Sequence, residues 1–209
     1  MNASDDVARM RLVGGDLALD FVNTRSGPPD GAPGDDLLAG YGGLVSWAVY
    51  AGVVSEKAAV ELRRGAHDDP HTSHAVFARS RRIRDDLDEV FRTIADGREA
   101  GDAVLGRLRD DESEALRAAR LQAGAVFAWT WGEDRSLARP LWPVVHAAIH
   151  LLLAGPLDRV KQCGGCRYLF VDESRNRTRR WCSMEDCGTD EKMRRYVASR
   201  RAAQERRTH

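Results

Sequence analysis

Apolar residues recur along this chain mostly at the spacing of a helix. The clearest stretch runs from Val76 to Ile94, where Val76, Ile83, Leu87, Val90, Phe91 and Ile94 share one stripe and charge fills the rest. Gly97 ends it. Leu37 to Gly52 reads the same way, with Leu37, Tyr41, Leu44, Val45, Trp47 and Ala48 available for burial. Ser55 caps a following helix over Glu56 to Arg64. His67 to His74 is polar and contains Pro70, which predicts a turn. Asp102 to Leu116 predicts a further helix with Val104, Leu105, Leu108 and Leu116 inward, and Pro140 and Pro143 open a strongly apolar one, Leu141 to Leu153, stopped by Gly155-Pro156.

Elsewhere the pattern changes. Asp16 predicts the N-cap of a short helix with Leu17 and Phe21 on one face; the alternation of Leu17, Leu19 and Phe21 also suits a strand, and helix is preferred. Residues 1–10 read as a disordered leader and Ser26 to Gly34 as a loop. Leu121 to Trp131, rich in Val, Phe, Trp and Thr, predicts one or two strands. The expected fold is therefore mainly α with a small β component: a helical body over residues 1–157 and a small C-terminal module over 158–209.

Composition sharpens that division. The formal net charge is zero, yet residues 1–157 carry 18 Lys+Arg against 24 Asp+Glu, a balance of −6, and residues 158–209 carry 14 against 8, a balance of +6. A basic tail behind an acidic body suits a module that meets a polyanion. No stretch approaches the roughly 20 apolar residues of a membrane span. The N-terminus, MNASDDVARM, has no basic region followed by an apolar run, so a reducing cytoplasm is the expected setting.

The candidate chemistry is concentrated in cysteine. All four lie in the last 47 residues: Cys163-Gly-Gly-Cys166, fifteen residues, then Cys182-Ser-Met-Glu-Asp-Cys187. Each close pair spans one edge of a tetrahedron from a tight turn, and the spacer lets the second pair close over the first. The same four residues would make two disulfides in a secreted protein; in a reducing compartment they point to one structural zinc ion. With all four ligating, no coordination position is left for catalysis.

Around the cysteines, Tyr168-Leu169-Phe170-Val171 predicts a strand, Asp172 to Thr178 a reversal, and Arg179-Arg180-Trp181 a return, so that a β-hairpin joins the two pairs. A helix over Thr189 to Glu205 follows, with Met193, Tyr196 and Val197 expected to pack on Phe170 and Trp181. Knuckle, hairpin and helix make a treble-clef-like finger. Two arginine clusters decorate it: Arg175, Arg177, Arg179 and Arg180 on the hairpin, and Lys192, Arg194, Arg195, Arg200, Arg201, Arg206 and Arg207 on the helix. They suit DNA phosphates. The pairs Asp190–Arg194 and Glu191–Arg195 at i,i+4 are equally what a solvated helix face carries.

The run Arg159-Val-Lys161-x-Cys163-x-x-Cys166-x-x-Leu169-Phe170-x-Asp172-x-Ser174-Arg175-Asn176, continued by Arg179-Arg180-Trp181-Cys182-Ser183-Met184-x-x-Cys187-Gly188, resembles the bacterial CGNR zinc finger. Leu19-Asp20-Phe21-Val22-Asn23-Thr24 and Trp47 resemble the ABATE domain that precedes this finger. The resemblance implies a stress-responsive transcription regulator with a zinc-binding, DNA-binding C-terminus. One departure stands out: in place of Cys-Gly-Asn-Arg this chain has Cys187-Gly188-Thr189-Asp190. An aspartate near a helix N-terminus is electrostatically favourable, so the change bears on DNA contact rather than on fold.

Asp20, Asn23 and Thr24 set polar groups inside an apolar segment. They would line a small-molecule effector pocket with an aromatic such as Trp47, Trp129 or Trp131, or else Asp20 and Asn23 would cap or brace a neighbouring backbone. His67, His71 and His74 have metal-compatible spacing in a polar segment, and His146 and His150 sit at i,i+4; core histidines satisfied by hydrogen bonds are the expectation for the latter. No catalytic motif occurs, so an enzyme is not expected. Two functions remain in view, a DNA-binding regulator that would act as a homodimer, and a structural or protein-docking finger.

Overall fold

The structure is a computed structural model and describes residues 10–29, 34–132 and 135–205. The leader expected over residues 1–10 (but for Met10), part of the Ser26–Gly34 loop, and Arg206 and Arg207 lie outside the described residues, as does the side chain of Arg201.

The body is a set of packed helices. α1 (Leu17–Val22) starts at Asp16, whose carboxylate accepts from the Ala18 N–H at 2.8 Å. α2 spans Gly40–Tyr50, α3 Glu56–Asp68, α4 Pro70–Ala95 and α5 Asp102–Ala118. A hairpin follows, β1 (Arg120–Gln122) against β2 (Ala128–Thr130), and then α6 (Trp142–Ala154). α5 and α2 flank the apolar faces of α6 and α4, and α1 is wedged between α4 and α6. Ala18, Leu19, Phe21, Trp47, Ile83, Leu87, Phe91, Leu108 and Val144 are enclosed in one continuous core.

Two expectations need correction. The turn expected over His67 to His74 contracts to Asp69: its side chain accepts from the Thr72 N–H at 3.0 Å, Pro70 takes the first helical position, and α4 begins there. Proline at that position loses no helical hydrogen bond, so it starts the helix rather than interrupting it. At the far end Gly97, at φ +71°, closes α4 with its own N–H on Ile94 O and the Arg98 N–H on Thr93 O.

The second correction concerns the inward face of α5. Val104 and Leu108 point in as expected, but Leu105 and Leu116 face solvent, and Asp111, Glu112 and Ala115 complete the stripe. Asp111 is tolerated because α4 brings arginines, and Glu112 meets His146 of α6 at 2.7 Å. Asp111 accepts from Arg79 at 2.8 Å and Arg82 at 2.8 Å, and Asp86 accepts from Arg82 at 2.8 Å and Arg107 at 2.5 Å. Replacing Asp111 by Ala should destabilise the chain by about 2–3 kcal/mol, below the roughly 3–5 of a fully buried pair because the arginines keep solvent contact. Urea denaturation checks it, with the exposed Leu116→Ala as the near-neutral control.

The C-terminal part contains β3 (Val160–Gln162), β4 (Leu169–Val171), a π-helical turn over Met184–Gly188, and α7 (Thr189–Glu205). β4 pairs antiparallel with β3, Val160 opposite Val171. The expected hairpin between the two cysteine pairs is therefore replaced by one that encloses the first pair, and residues 179–181 form no strand. Every residue of β4 is buried, and the strand's alternation sorts them: Leu169 and Val171 enter the body core, and Phe170 enters a separate cluster with Cys163 and Cys182.

α7 stands apart. Met193, Tyr196 and Val197 are exposed and do not pack on Phe170 or Trp181, because the helix continues away from the π-turn.

Candidate metal centre

The first cysteine pair is presented by the turn between β3 and β4, whose closing bonds are Cys163 N–H to Tyr168 O at 2.8 Å and Gly164 N–H to Arg180 O at 3.0 Å. A Cβ on Gly165 would lie 2.9 Å from the Cys187 Cβ, so glycine is what allows the second pair to close over the first. Cys187 is carried by the π-turn, whose N-terminal Ser183 side chain accepts from the Asp186 N–H at 3.2 Å.

The four Sγ atoms lie within 4.8 Å of one another. Cys166 to Cys182 is 3.6 Å and Cys182 to Cys187 3.7 Å. A tetrahedral zinc ion with Zn–S bonds near 2.3 Å needs sulfurs about 3.8 Å apart. The donor set fits, and these are free thiols rather than two disulfides. Among the described residues this is also the one group of metal-competent side chains that converges.

Further donors support a charged sulfur. Gly165 N–H and Cys182 N–H both point at Cys163 Sγ, at 3.4 and 3.3 Å. The Cys163 thiol is held far below its ordinary value by hydrogen bonds from Cys166 and Cys182. Sharing a hydrogen bond with Cys163, followed by burial, pushes the Cys166 thiol up to about 12, while burial raises Cys187. Four crowded thiols cannot all ionise alone; a divalent cation at their centre removes that repulsion and displaces the protons.

The centre is bolted to the body. Asn23, buried on α1's C-terminal end, accepts from the Leu169 N–H and donates to the Leu169 C=O, both at 2.9 Å, so one amide acts as a neighbouring strand. Val171 N–H donates to Gly14 O at 2.8 Å, and Arg167 N–H to Gly27 O at 3.0 Å. Arg167 also pairs with Asp88 at 2.5 Å, and Arg92 of α4 donates to the Arg167 carbonyl. From the N-terminal side Arg11 reaches Glu185 at 2.8 Å and Asp186 at 2.5 Å.

Asn23 therefore braces a backbone. Asp20 accepts from the Gly14 N–H at 2.8 Å; burial first of all raises its carboxyl to about 6. Trp47 is fully enclosed against Phe21, ring centroids 4.9 Å apart.

The arginines separate into two kinds. Arg179 lies 4.4 Å over the Phe170 ring, donates to Trp181 O at 3.1 Å and Val13 O at 3.3 Å, and also to Cys182 O. It is a strut of the metal centre and not a surface contact. Arg175 and Arg180 are exposed, Arg180 resting 5.3 Å from the Trp181 ring centroid. Arg177, at φ +54°, is exposed and paired with Asp158. On α7, Lys192, Arg194 and Arg195 are exposed, and Glu191 takes both Arg195 at 2.8 Å and Arg194 at 4.0 Å.

Sequence reasoning missed two residues that organise this arrangement. Asp172 is fully buried, takes the Lys161 ammonium at 2.6 Å and the Ser174 and Arg179 N–H groups, and holds the reversal together. Burial opposes its charge, but Lys161 and Ser174 hold its carboxyl well below the usual carboxylate range. Its place in the motif run, directly after an apolar strand and ahead of an arginine cluster, was the available signal. Arg159, which opens the same motif run, donates to Asp172 O at 2.9 Å and Ser174 O at 3.2 Å. The histidines resolve simply: His67, His71 and His74 are exposed on two helices, and His146 meets Glu112 at 2.7 Å.

Four thiolates on a knuckle, a short hairpin and a helix define a zinc-finger protein fused to a helical body, with one structural zinc. The family described as "ABATE: Putative stress-induced transcription regulator" matches residues 15–155, and the CGNR zinc finger matches residues 159–201. The chain belongs to the ABATE family and carries a CGNR zinc finger. No curated protein matches it. No helix among the described residues is long and apolar enough to cross a membrane.

Proposed function

We propose that this chain is a cytoplasmic, zinc-dependent DNA-binding regulator, divided in role near residue 157 between a helical body and the finger. The observation that carries the reading is the placement of Arg175, Arg177 and Arg180 on a rigid, metal-held reversal, with Lys192, Arg194 and Arg195 on the helix that leaves it. Exposed guanidinium groups on a fixed scaffold suit phosphate oxygens, and a helix leaving a zinc site can approach a groove. Arg179 drops out of the contact set. Asp190, exposed in the first turn of α7, lowers the positive potential where the related fingers carry arginine.

The test is fluorescence-anisotropy titration of zinc-loaded protein with mixed duplexes across a salt series. Affinity should fall log-linearly with salt, and the double variant R175A/R180A should flatten the slope by about one to two charge units. An unchanged slope would sink the assignment.

A second reading has its own support. The finger is joined to the body through Asn23, Gly14, Gly27 and Arg92, as a structural or docking module would be. Arg167 and Arg179 are engaged with the body, and Arg175, Arg177, Arg180, Arg194 and Arg195 stay at the surface. Absence of duplex binding even at low salt would select this reading. Neither reading assigns catalysis.

A further inference from the structure

Charged residues make up 31% of the chain, yet none occurs from Leu121 to Gly132. That stretch is the β1–β2 hairpin, and it is exposed throughout residues 121–129. Its large apolar side chains face water: Leu121 is 57% exposed, Val126 77%, Phe127 71% and Trp129 41%. Leu121 and Trp129 are cross-strand partners and so share one face of the ladder. Trp131 continues that face and anchors it to the body, its Nε1–H donating to Ala115 O at 2.7 Å and its ring 5.6 Å from His146. Beyond the anchor the same face runs out into solvent.

A strand edge without proline and with a single charge, Arg120 at its start, is open to pairing with other edges. This sheet has two strands, so each keeps one edge unpaired within it. With an aromatic side chain covering roughly 150–250 Å², the exposed patch is on the order of 400–500 Å², about the largest a monomer normally shows. Doubled by a symmetry axis and joined by strand pairing, it approaches the lower end of a stable interface, about 1,200 Å² in total.

We propose that this hairpin is the seam at which two copies of the chain join. The β1 edges pair antiparallel about a two-fold axis near Leu121. Leu121 then faces its own copy, and Arg120 lies opposite Gln122. Antiparallel pairing of two hairpins sets the tip of each beside the base of the other. At that base is a cleft of about 760 Å³ lined by Arg117, Ala119, Leu121, Gln122, Thr130 and Trp131. The Val126–Phe127 tip is the apolar knob that enters it. Knob, cleft and edge lie on one element, so the contact is self-complementary and closes at two copies. From Leu121 to Gly132 the hairpin has no charge with which to select a different partner, and the arginines at its base, Arg117 and Arg120, border the cleft.

Sedimentation velocity of the full zinc-loaded chain, without DNA, tests this independently of the DNA-binding reading. The wild type should be dimeric at tens of micromolar. Phe127→Asp and Leu121→Lys, both at exposed positions, should each weaken dimerisation at least about tenfold while retaining one zinc and the wild-type circular dichroism. A wild-type chain that stays monomeric overturns the proposal. So does a dimer that both variants leave intact, since its seam would lie elsewhere.

Discussion

Cys182→Ser is expected to abolish zinc retention and to unfold the C-terminal part of the chain, leaving most helices in place. Zinc ligation contributes about 10–16 kcal/mol in isolated fingers at neutral pH, against about 5–15 for the whole stability of an ordinary domain. The cluster it holds together is small: Cys163, Phe170 and Cys182, with Val13, Tyr168 and Trp181 around them. No core of that size supports itself. The loss should spread, because Phe170 stands between Leu169 and Val171, both in the body core. Amide exchange should therefore become fast over residues 160–182 and faster than wild type in α1, while α5 and α6 stay protected. A chelator should reproduce the result, with entry through the cavity of about 330 Å³ beside Cys166, Cys182 and Cys187. Acid should assist it, since ligation requires deprotonated thiols. Metal analysis showing one zinc in Cys182→Ser, together with an unchanged Tm, would contradict the assignment.

What could be read from the sequence depended on how local each constraint was. The zinc site was legible because coordination fixes short spacings, and Cys163-x-x-Cys166 and Cys182-x4-Cys187 record them directly. Long helices were legible where the stripe was apolar, as in α4. On α5 the stripe was partly acidic, and its meaning depended on Arg79 and Arg82 of a different helix. Likewise the partner of β4 could not be chosen by alternation: both Val160–Gln162 and Arg179–Trp181 were short and near, and tertiary contacts select the former. Arg179 shows the limit most plainly. In sequence it is one of four arginines in a reversal, and only the Phe170 ring beneath it separates it from the others. The apolar stripe of α7 was correctly periodic and wrongly assumed to be covered.

Asn23 carries the other large effect, across a sequence separation of 146 residues. Asn23→Ala removes the donor and acceptor that satisfy Leu169, in a place water does not reach. A buried backbone group left unmatched costs about 1–3 kcal/mol, so two should destabilise by about 3–5 kcal/mol, or a fall in Tm on the order of 10 °C for a chain of this size. Asn23→Asp should be no better: one oxygen keeps the Leu169 N–H, but the other meets the Leu169 carbonyl and carries a buried charge. The informative readout is zinc. If Asn23 locks β4 to the body, the metal in Asn23→Ala should exchange faster with a chelator than in wild type although all four cysteines remain. A variant with lowered Tm and unchanged zinc exchange would show that body and finger are held together by Gly14, Gly27 and Arg92 instead, and that the amide serves the body alone.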